Sequence, residues 1–237
     1  MQSTSSDPEH KVEIEEVIVF SGGMDSATLL WWRLWRGKKV ACLSVDYGQR
    51  HGKELEYADN FVEVCREKFK VDIPHKIVNL SELGSTILHN SSQTDPSIPV
   101  PHGHYEAESM RATVVPNRNM IMLSVAAAWA ISLKASKLLY GAHSGDHFIY
   151  KDCRPEFVQA LALAVGLCDE HELKLEAPFI TFSKADICVL GQGLGVPYGD
   201  TWTCYSGLAE PCGKCGACQE RSESFELAGV LDPLLVN

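Results

Sequence analysis

The sequence contains no apolar run that approaches the ~20 residues needed to cross a bilayer, so no membrane partner is expected. It also lacks a basic surplus. With 21 Lys and Arg against 31 Asp and Glu, its formal net charge is -10. A chain this acidic has no clustered cations to hold a phosphate backbone, which argues against a nucleic-acid partner. There is no internal repeat, and no Gly-Lys-Ser/Thr string of the Walker type. Residues 1–9 are polar and acidic, without the basic-then-apolar pattern of a secretory leader, so a cytoplasmic protein is expected. Cysteine is not scarce: there are nine. Cys42, Cys65, Cys153, Cys168 and Cys188 are scattered through apolar segments as small buried thiols. The other four are clustered near the C-terminus.

Hydrophobic periodicity predicts strands over 12–20, 40–45, 76–80, 138–141 and 173–178. Helices are predicted over 26–36, 54–69, 81–88, 118–134, 155–168 and 219–228, and residues 90–109 read as a long loop that could act as a lid. Strands alternating with helices imply an α/β fold with a doubly wound, mainly parallel sheet, because right-handed crossovers place successive strands side by side. The expected organisation is a disordered tail at 1–11, a nucleotide-binding and substrate domain at 12–195, and a small helical zinc-binding region at 196–237.

The apolar run Val17-Ile18-Val19-Phe20 leads directly into Ser21-Gly22-Gly23-Met24-Asp25-Ser26. A strand, a glycine pair and a helix start leave backbone N–H groups unpaired and facing outward. Glycine lets the backbone approach an anion, and the helix dipole favours negative charge. Ser21 and Ser26 add hydroxyl donors. Asp25 would repel phosphate unless a divalent cation lay between them, which implies Mg²⁺ with ATP. The competing reading is a simple turn with Asp25 as a helix N-cap.

Cys204, Cys212, Cys215 and Cys218 suit a closed tetrahedral site, so one structural Zn²⁺ per chain is expected. An iron–sulfur cluster and a disulfide pair are the alternatives. His51, His102 and His104 have no trusted ligand spacing and read as solvent-exposed. The Gly191-Gln192-Gly193-Leu194-Gly195 string ends a helix rather than following a strand, so it reads as a helix stop. The tryptophans at 31, 32 and 35 read as packing residues.

The Ser-Gly-Gly-x-Asp-Ser loop resembles the PP-loop of ATP pyrophosphatases. With the cysteine cluster, Asp46-Tyr47-Gly48-Gln49, Val115-Pro116-Asn117-Arg118-Asn119, Asp152-Cys153-Arg154-Pro155 and Thr201-Trp202-Thr203-Cys204-Tyr205, residues 17–229 resemble the 7-cyano-7-deazaguanine synthase family, also called QueC or ExsB. That resemblance implies a Rossmann-like fold of the adenine nucleotide alpha hydrolase type. It also implies a ligase that uses ATP, ammonia and 7-carboxy-7-deazaguanine to make the nitrile preQ0 through an amide. A homodimer is the expected assembly. Another PP-loop ligase acting on RNA is disfavoured by the acidic charge.

On this resemblance the nucleotide is met by Phe20, Ser21, Gly22, Gly23, Met24, Asp25, Ser26, Ala27, Thr28, Leu29 and Leu30, with Asp46, Tyr47, Gly48 and Gln49 bordering the adenosine. Ser21, Asp25, Ser26, Arg118 and Lys184 are the expected catalytic groups. Arg118, Asn119, His143, Asp146, Asp152 and Arg154 are expected around the substrate. Arg118 could equally pair an acid at a helix start, and Lys184 could be a solvated lysine. The sequence departs from the family at His143, where asparagine is usual, and at 147–151.

Overall fold

The computed structural model describes residues 13–234, so the predicted tail lies outside the described residues. The chain runs β1 (Glu16–Val19), α1 (Met24–Trp35), β2 (Val40–Asp46), α2 (Lys53–Phe69), β3 (His75–Asn79), α3 (Ser81–Thr86) and α4 (Arg118–Ser132). It continues β4 (Lys137–Leu139), α5 (Pro155–Val165), β5 (Lys174–Glu176), α6 (Lys184–Leu194) and α7 (Gly216–Leu227). The five strands form one parallel sheet in the order β3-β2-β1-β4-β5. The order reverses between β1 and β4, which opens a crevice at the carboxyl end of β1.

Strand side chains alternate between two cores. Val17, Ala41, Leu43 and Leu138 face α4 and α5, packing with Leu123, Ala126, Ala130, Leu161 and Val165. Ile18, Val40, Cys42 and Leu139 face the other way, against Leu29, Leu30, Phe61, Ile187 and Phe225. Burial on both faces explains why these strands read as continuous apolar runs.

Local chemistry fixes the helix ends. Ser183 and Asp186 form a reciprocal capping box at the start of α6, and Gly195 ends it in the left-handed region at φ 74°. Pro155 occupies the first turn of α5, where its missing N–H costs nothing. β1 is shorter than predicted because its chain pairs with neighbours only from Glu16 to Val19. α5 stops at Val165, with Gly166 as its cap, three residues before the predicted end.

The tryptophans divide by position on α1. Trp31 is buried edge-on to Phe69 and donates to the Leu194 carbonyl at 3.0 Å, Trp32 stacks on Phe179, and Trp35 is 58% exposed. Residues 90–109 are tied down rather than loose. Ser91, Ser92 and Gln93 are buried, Arg50 donates to the carbonyls of Asp95 and Ile98, and His102 bridges to Cys215. No helix among the described residues is long and apolar enough to cross a membrane.

The glycine-rich end of α6 is a packing device. A methyl group at Gly191 would overlap the hydroxyl of Tyr198, which is fully buried and bonded to Thr28 Oγ1 at 2.8 Å and to the Ile187 carbonyl at 3.1 Å. Nothing lies within 4 Å of the same position on Gly193. In urea unfolding, Gly191→Ala is expected to lose about 1–3 kcal/mol from overpacking. Gly193→Ala is expected to gain up to about 1 kcal/mol. Equal effects at the two positions would refute this account of the motif.

Candidate active site

The loop after β1 is shaped by two glycines. Gly22 has φ 78°, and a Cβ there would lie 2.7 Å from both Ala58 N and Glu54 O, so no side chain fits between the loop and α2. Trp202 N donates to Gly22 O at 3.0 Å and holds the loop from the far side. Ser26 Oγ donates to Gly23 O at 3.1 Å, accepts from Ser21 N at 3.3 Å, and lies 3.1 Å from Ser21 Oγ. No side chain caps the start of α1, where Gly23 is extended. That leaves first-turn N–H groups facing the cavity.

Asp25 links this loop to a charged cluster. Its Oδ1 is buried with no hydrogen-bond partner, while Oδ2 lies 3.3 Å from Lys184 Nζ and 3.7 Å from His143 Nε2. Lys184, expected either on phosphate or in solvent, is buried and donates to Glu220 Oε2 at 2.8 Å. Burial works against its ammonium, but Asp25 and Glu220 outweigh it and hold the pKa above the ordinary lysine value. His143 is buried, accepts from Gly145 N through Nδ1 at 3.2 Å, and places Nε2 3.5 Å from Asp146 Oδ2.

The opposite wall carries Arg118, whose guanidinium sits between the rings of Tyr47 and Tyr150 at 6.0 and 5.8 Å. Its Nε is buried without a partner. None of the ion pairs among the described residues includes it, so the reading of an ordinary helix-start pair with an acid does not hold. Burial pushes the Tyr47 hydroxyl up to about 12 despite that guanidinium.

His51 corrects an expectation. It is buried beside Tyr205, not exposed, because the turn after β2 folds inward under residues 90–109. Burial first, and Arg118 second, lower its pKa to about 3. Glu54, at the start of α2, is raised by burial to about 7, with Arg118 and the Gln49 hydrogen bond opposing.

Ser21, Gly23, Asp25, Ser26, Arg118, Asn119, Asp146 and Lys184 line one cavity with Tyr47, Glu54, Tyr150, Trp202 and Glu220. Other expected site residues serve the frame. Asp46 accepts from Gly48 N at 2.9 Å, and Gln49 bonds Tyr47 N and Val45 O. Asp152 accepts from Asn119 N, and Arg154 donates to the His147 carbonyl. Ala27, Thr28, Leu29 and Leu30 are buried in α1, with Thr28 bonded to Tyr198. Sequence reasoning did not single out Glu54, Tyr150 or Glu220. Glu220 follows the last clustered cysteine by two residues, the one positional hint of its role.

The four clustered sulfurs lie within 4.8 Å of one another. Zn–S bonds of about 2.3 Å place tetrahedral sulfurs roughly 3.8 Å apart, so modest contraction closes the site round one ion. N–H groups of Ser206 and Cys212 point at Cys204 Sγ, and those of Lys214 and Cys215 at Cys212 Sγ, as thiolate ligands require. All four cysteines are free thiols, which removes the disulfide alternative. The cluster could bind a metal ion.

Comparison with known proteins agrees with this architecture. The family described as Queuosine biosynthesis protein QueC matches residues 15–229. The 7-cyano-7-deazaguanine synthase of Pseudoalteromonas translucida (strain TAC 125) is 50% identical over 218 residues, covering 92% of this chain and 96% of that protein. The synthase of Methanoregula boonei is 51% identical over 221 residues, covering 93% and 98%. Among solved structures, NMN synthetase from Francisella tularensis aligns with a TM-score of 0.51 at 15% identity, covering 94% of this chain and 79% of that one. A tRNA thiolase from Methanococcus maripaludis, described with an iron–sulfur cluster, aligns at 0.50 and 18% identity, covering 94% and 67%. These two likenesses show the fold. With the family match running from Glu15 to Gly229 and relatives half identical over nearly their whole length, the chain belongs to the QueC family of queuosine biosynthesis.

Proposed function

We propose that the chain is an ATP-dependent carbon–nitrogen ligase that converts 7-carboxy-7-deazaguanine and ammonia to 7-cyano-7-deazaguanine. The observation that carries this reading is the convergence of the phosphate loop, the Asp25–Lys184 pair and the Arg118 guanidinium in one cavity, in a chain half identical to synthases of that name. A carboxylate is a poor acyl donor because its leaving group would be oxide or hydroxide. Transfer of AMP to its oxygen makes the carbon open to ammonia, and the resulting amide oxygen is adenylated in turn before it leaves with AMP. Both steps ask for alignment and charge stabilisation, not a nucleophilic side chain.

In this scheme the loop N–H groups with Ser21 and Ser26 hold the departing pyrophosphate, and Lys184 meets charge growing beside it. Asp25 fits a Mg²⁺ ligand, because its buried Oδ1 has no protein partner. Mg²⁺ would supply neutralisation of the polyphosphate. Arg118, with its unpaired Nε, is the group for the substrate carboxylate, and Asp146 and His143 border the base. A structural Zn²⁺ held by Cys204, Cys212, Cys215 and Cys218 would fix α7, and with it Glu220, against Lys184.

Asp25→Ala and Ser21→Ala are each expected to lower ATP-dependent turnover by at least ~10²-fold; Ser21→Ala should do so with little change in thermal midpoint, while Asp25→Ala also lowers the midpoint because it removes one of the two acids beside buried Lys184. Wild-type turnover by either variant would remove the phosphate-loop assignment. Supplying the amide in place of the acid should abolish the ammonium requirement while keeping that for ATP. An enzyme that converts the acid but not the amide would refute two activations in one site. Elemental analysis should give one zinc per chain, lost on Cys215→Ser. Iron with labile sulfide would overturn the metal assignment.

A further inference from the structure

The turn between β2 and α2 carries two acid–base groups that the phosphate chemistry leaves unused. His51 and Glu54 line the same cavity as the phosphate loop and Arg118. His51 Nε2 lies 3.4 Å from Glu54 Oε2, and Gln49 Nε2 donates to Glu54 Oε1 at 3.1 Å. The other imidazole nitrogen, Nδ1, is buried with no partner. The pair is held on a rigid base, because Gln49 is anchored to Val45 O and Tyr47 N.

The proposed reaction consumes ammonia, yet near neutral pH the species in solution is ammonium, whose nitrogen lone pair is occupied by a proton. The cavity therefore needs a proton acceptor. Resting on the function proposed above, we infer that Glu54, positioned by His51 and Gln49, is the catalytic base that takes a proton from ammonium and frees ammonia for attack on the activated carboxyl carbon. Ammonium gives one proton to the Glu54 carboxylate, and the freed lone pair forms the C–N bond. The carbon–oxygen bond to AMP breaks with its electron pair leaving on the phosphate. A second proton is lost from nitrogen to solvent, giving the neutral amide, and Glu54 then returns its own proton to solvent.

The charged groups around the pair are consistent with that role. Arg118 faces both residues from α4, and Arg50 and Cys204 face His51, with Tyr47 and Tyr205 completing the wall. Burial raises the Glu54 carboxyl to about 7 while Arg118 and Gln49 oppose it, so it gains and loses a proton at neutral pH. His51 orients the carboxylate, with Nε2 3.4 Å from Oε2. Recognition of a guanine-like edge is the other task for a buried carboxylate, and it needs both oxygens free. Here Oε1 accepts from Gln49 and Oε2 lies 3.4 Å from His51, so both oxygens are turned toward the protein rather than presented together to a base.

The test compares ammonium with hydroxylamine, a weaker base that is already unprotonated near pH 7. Acid-dependent exchange of pyrophosphate into ATP reports the adenylation that precedes either nucleophile. In Glu54→Gln, exchange should stay within a few-fold of wild type. Amide formation from ammonium should fall roughly a hundred-fold or more, while hydroxamate formation remains near wild type. The residual ammonium rate should climb about tenfold per pH unit above neutrality, tracking free ammonia, whereas the wild-type rate flattens there. Glu54→Asp keeps a carboxylate and should recover part of the ammonium rate, which provides a second reading if glutamine disturbs the packing. Equal losses with both nucleophiles, or no loss with ammonium, would overturn the inference. Absence of acid-dependent exchange in the wild type would instead refute the substrate itself.

Discussion

A lysine ammonium carried into the protein interior is costly unless charges and hydrogen bonds replace the water it loses. Lys184 meets that constraint with Glu220 at 2.8 Å and Asp25 at 3.3 Å, and in doing so joins three separate pieces of chain. Lys184 begins α6, Glu220 lies on α7, and Asp25 belongs to the phosphate loop. If α7 moves away, the ammonium keeps only Asp25, and the charge seen by the loop changes. The cysteine cluster sits at the start of the same helix. A metal ion held there would therefore act at a distance, fixing the helix that carries Glu220 against the lysine that borders the loop.

A second route runs through Arg221, the next residue on α7. Its buried guanidinium forks onto Asp232, Thr201 Oγ1, Thr203 Oγ1 and the Tyr198 carbonyl. That network sets the segment from which Trp202 N reaches Gly22 O. The core under α4 and α5 needs neither route, whereas the core on the other face takes Phe225 from α7 and Tyr198 from the Arg221 network. Thus the sheet supplies the crevice at the switch between β1 and β4, and the C-terminal polar network supplies its finished wall. Altering Glu220 should then act on the site through Lys184 while leaving the core under α4 and α5 packed.

The fold was legible in the sequence because the central strands, buried on both faces, read as apolar runs; all five strands were found, although the edge strands β3 and β5 carry exposed polar residues. The strand–loop–helix setting of Ser21–Ser26 and the convergence of the four cysteines were legible because each is local, carried by a short stretch of chain. The rest of the cavity was not. Glu54 looks like any helix-start acid, and only the folded chain shows Arg118 and Gln49 around it. His51 looked exposed because a lone histidine in a polar turn gives no sign that residues 90–109 cover it. Asp46 and Gln49 mark the other limit: a recognisable motif pointed to the right turn, but both side chains spend their hydrogen bonds on its backbone.

Charge also explains how an acidic chain can handle an anionic nucleotide. The loop after β1 is not a simple cationic cradle, because Lys184 already lies between two carboxylates and Asp146 and Glu54 bring the cavity's carboxylates to four. Of the two Lys and Arg side chains that line the cavity, Lys184 is paired with acids, whereas Arg118 has no acidic partner among the described residues and sits across the cavity among tyrosines. On the proposed reading, adding a triphosphate to such a site would cost electrostatic energy that a divalent cation on Asp25 would offset together with the helix N–H groups. The same balance protects selectivity. On the proposed reading, a long phosphate backbone would meet a chain of formal net charge -10, while a single nucleotide would meet a site whose unpaired groups lie inside.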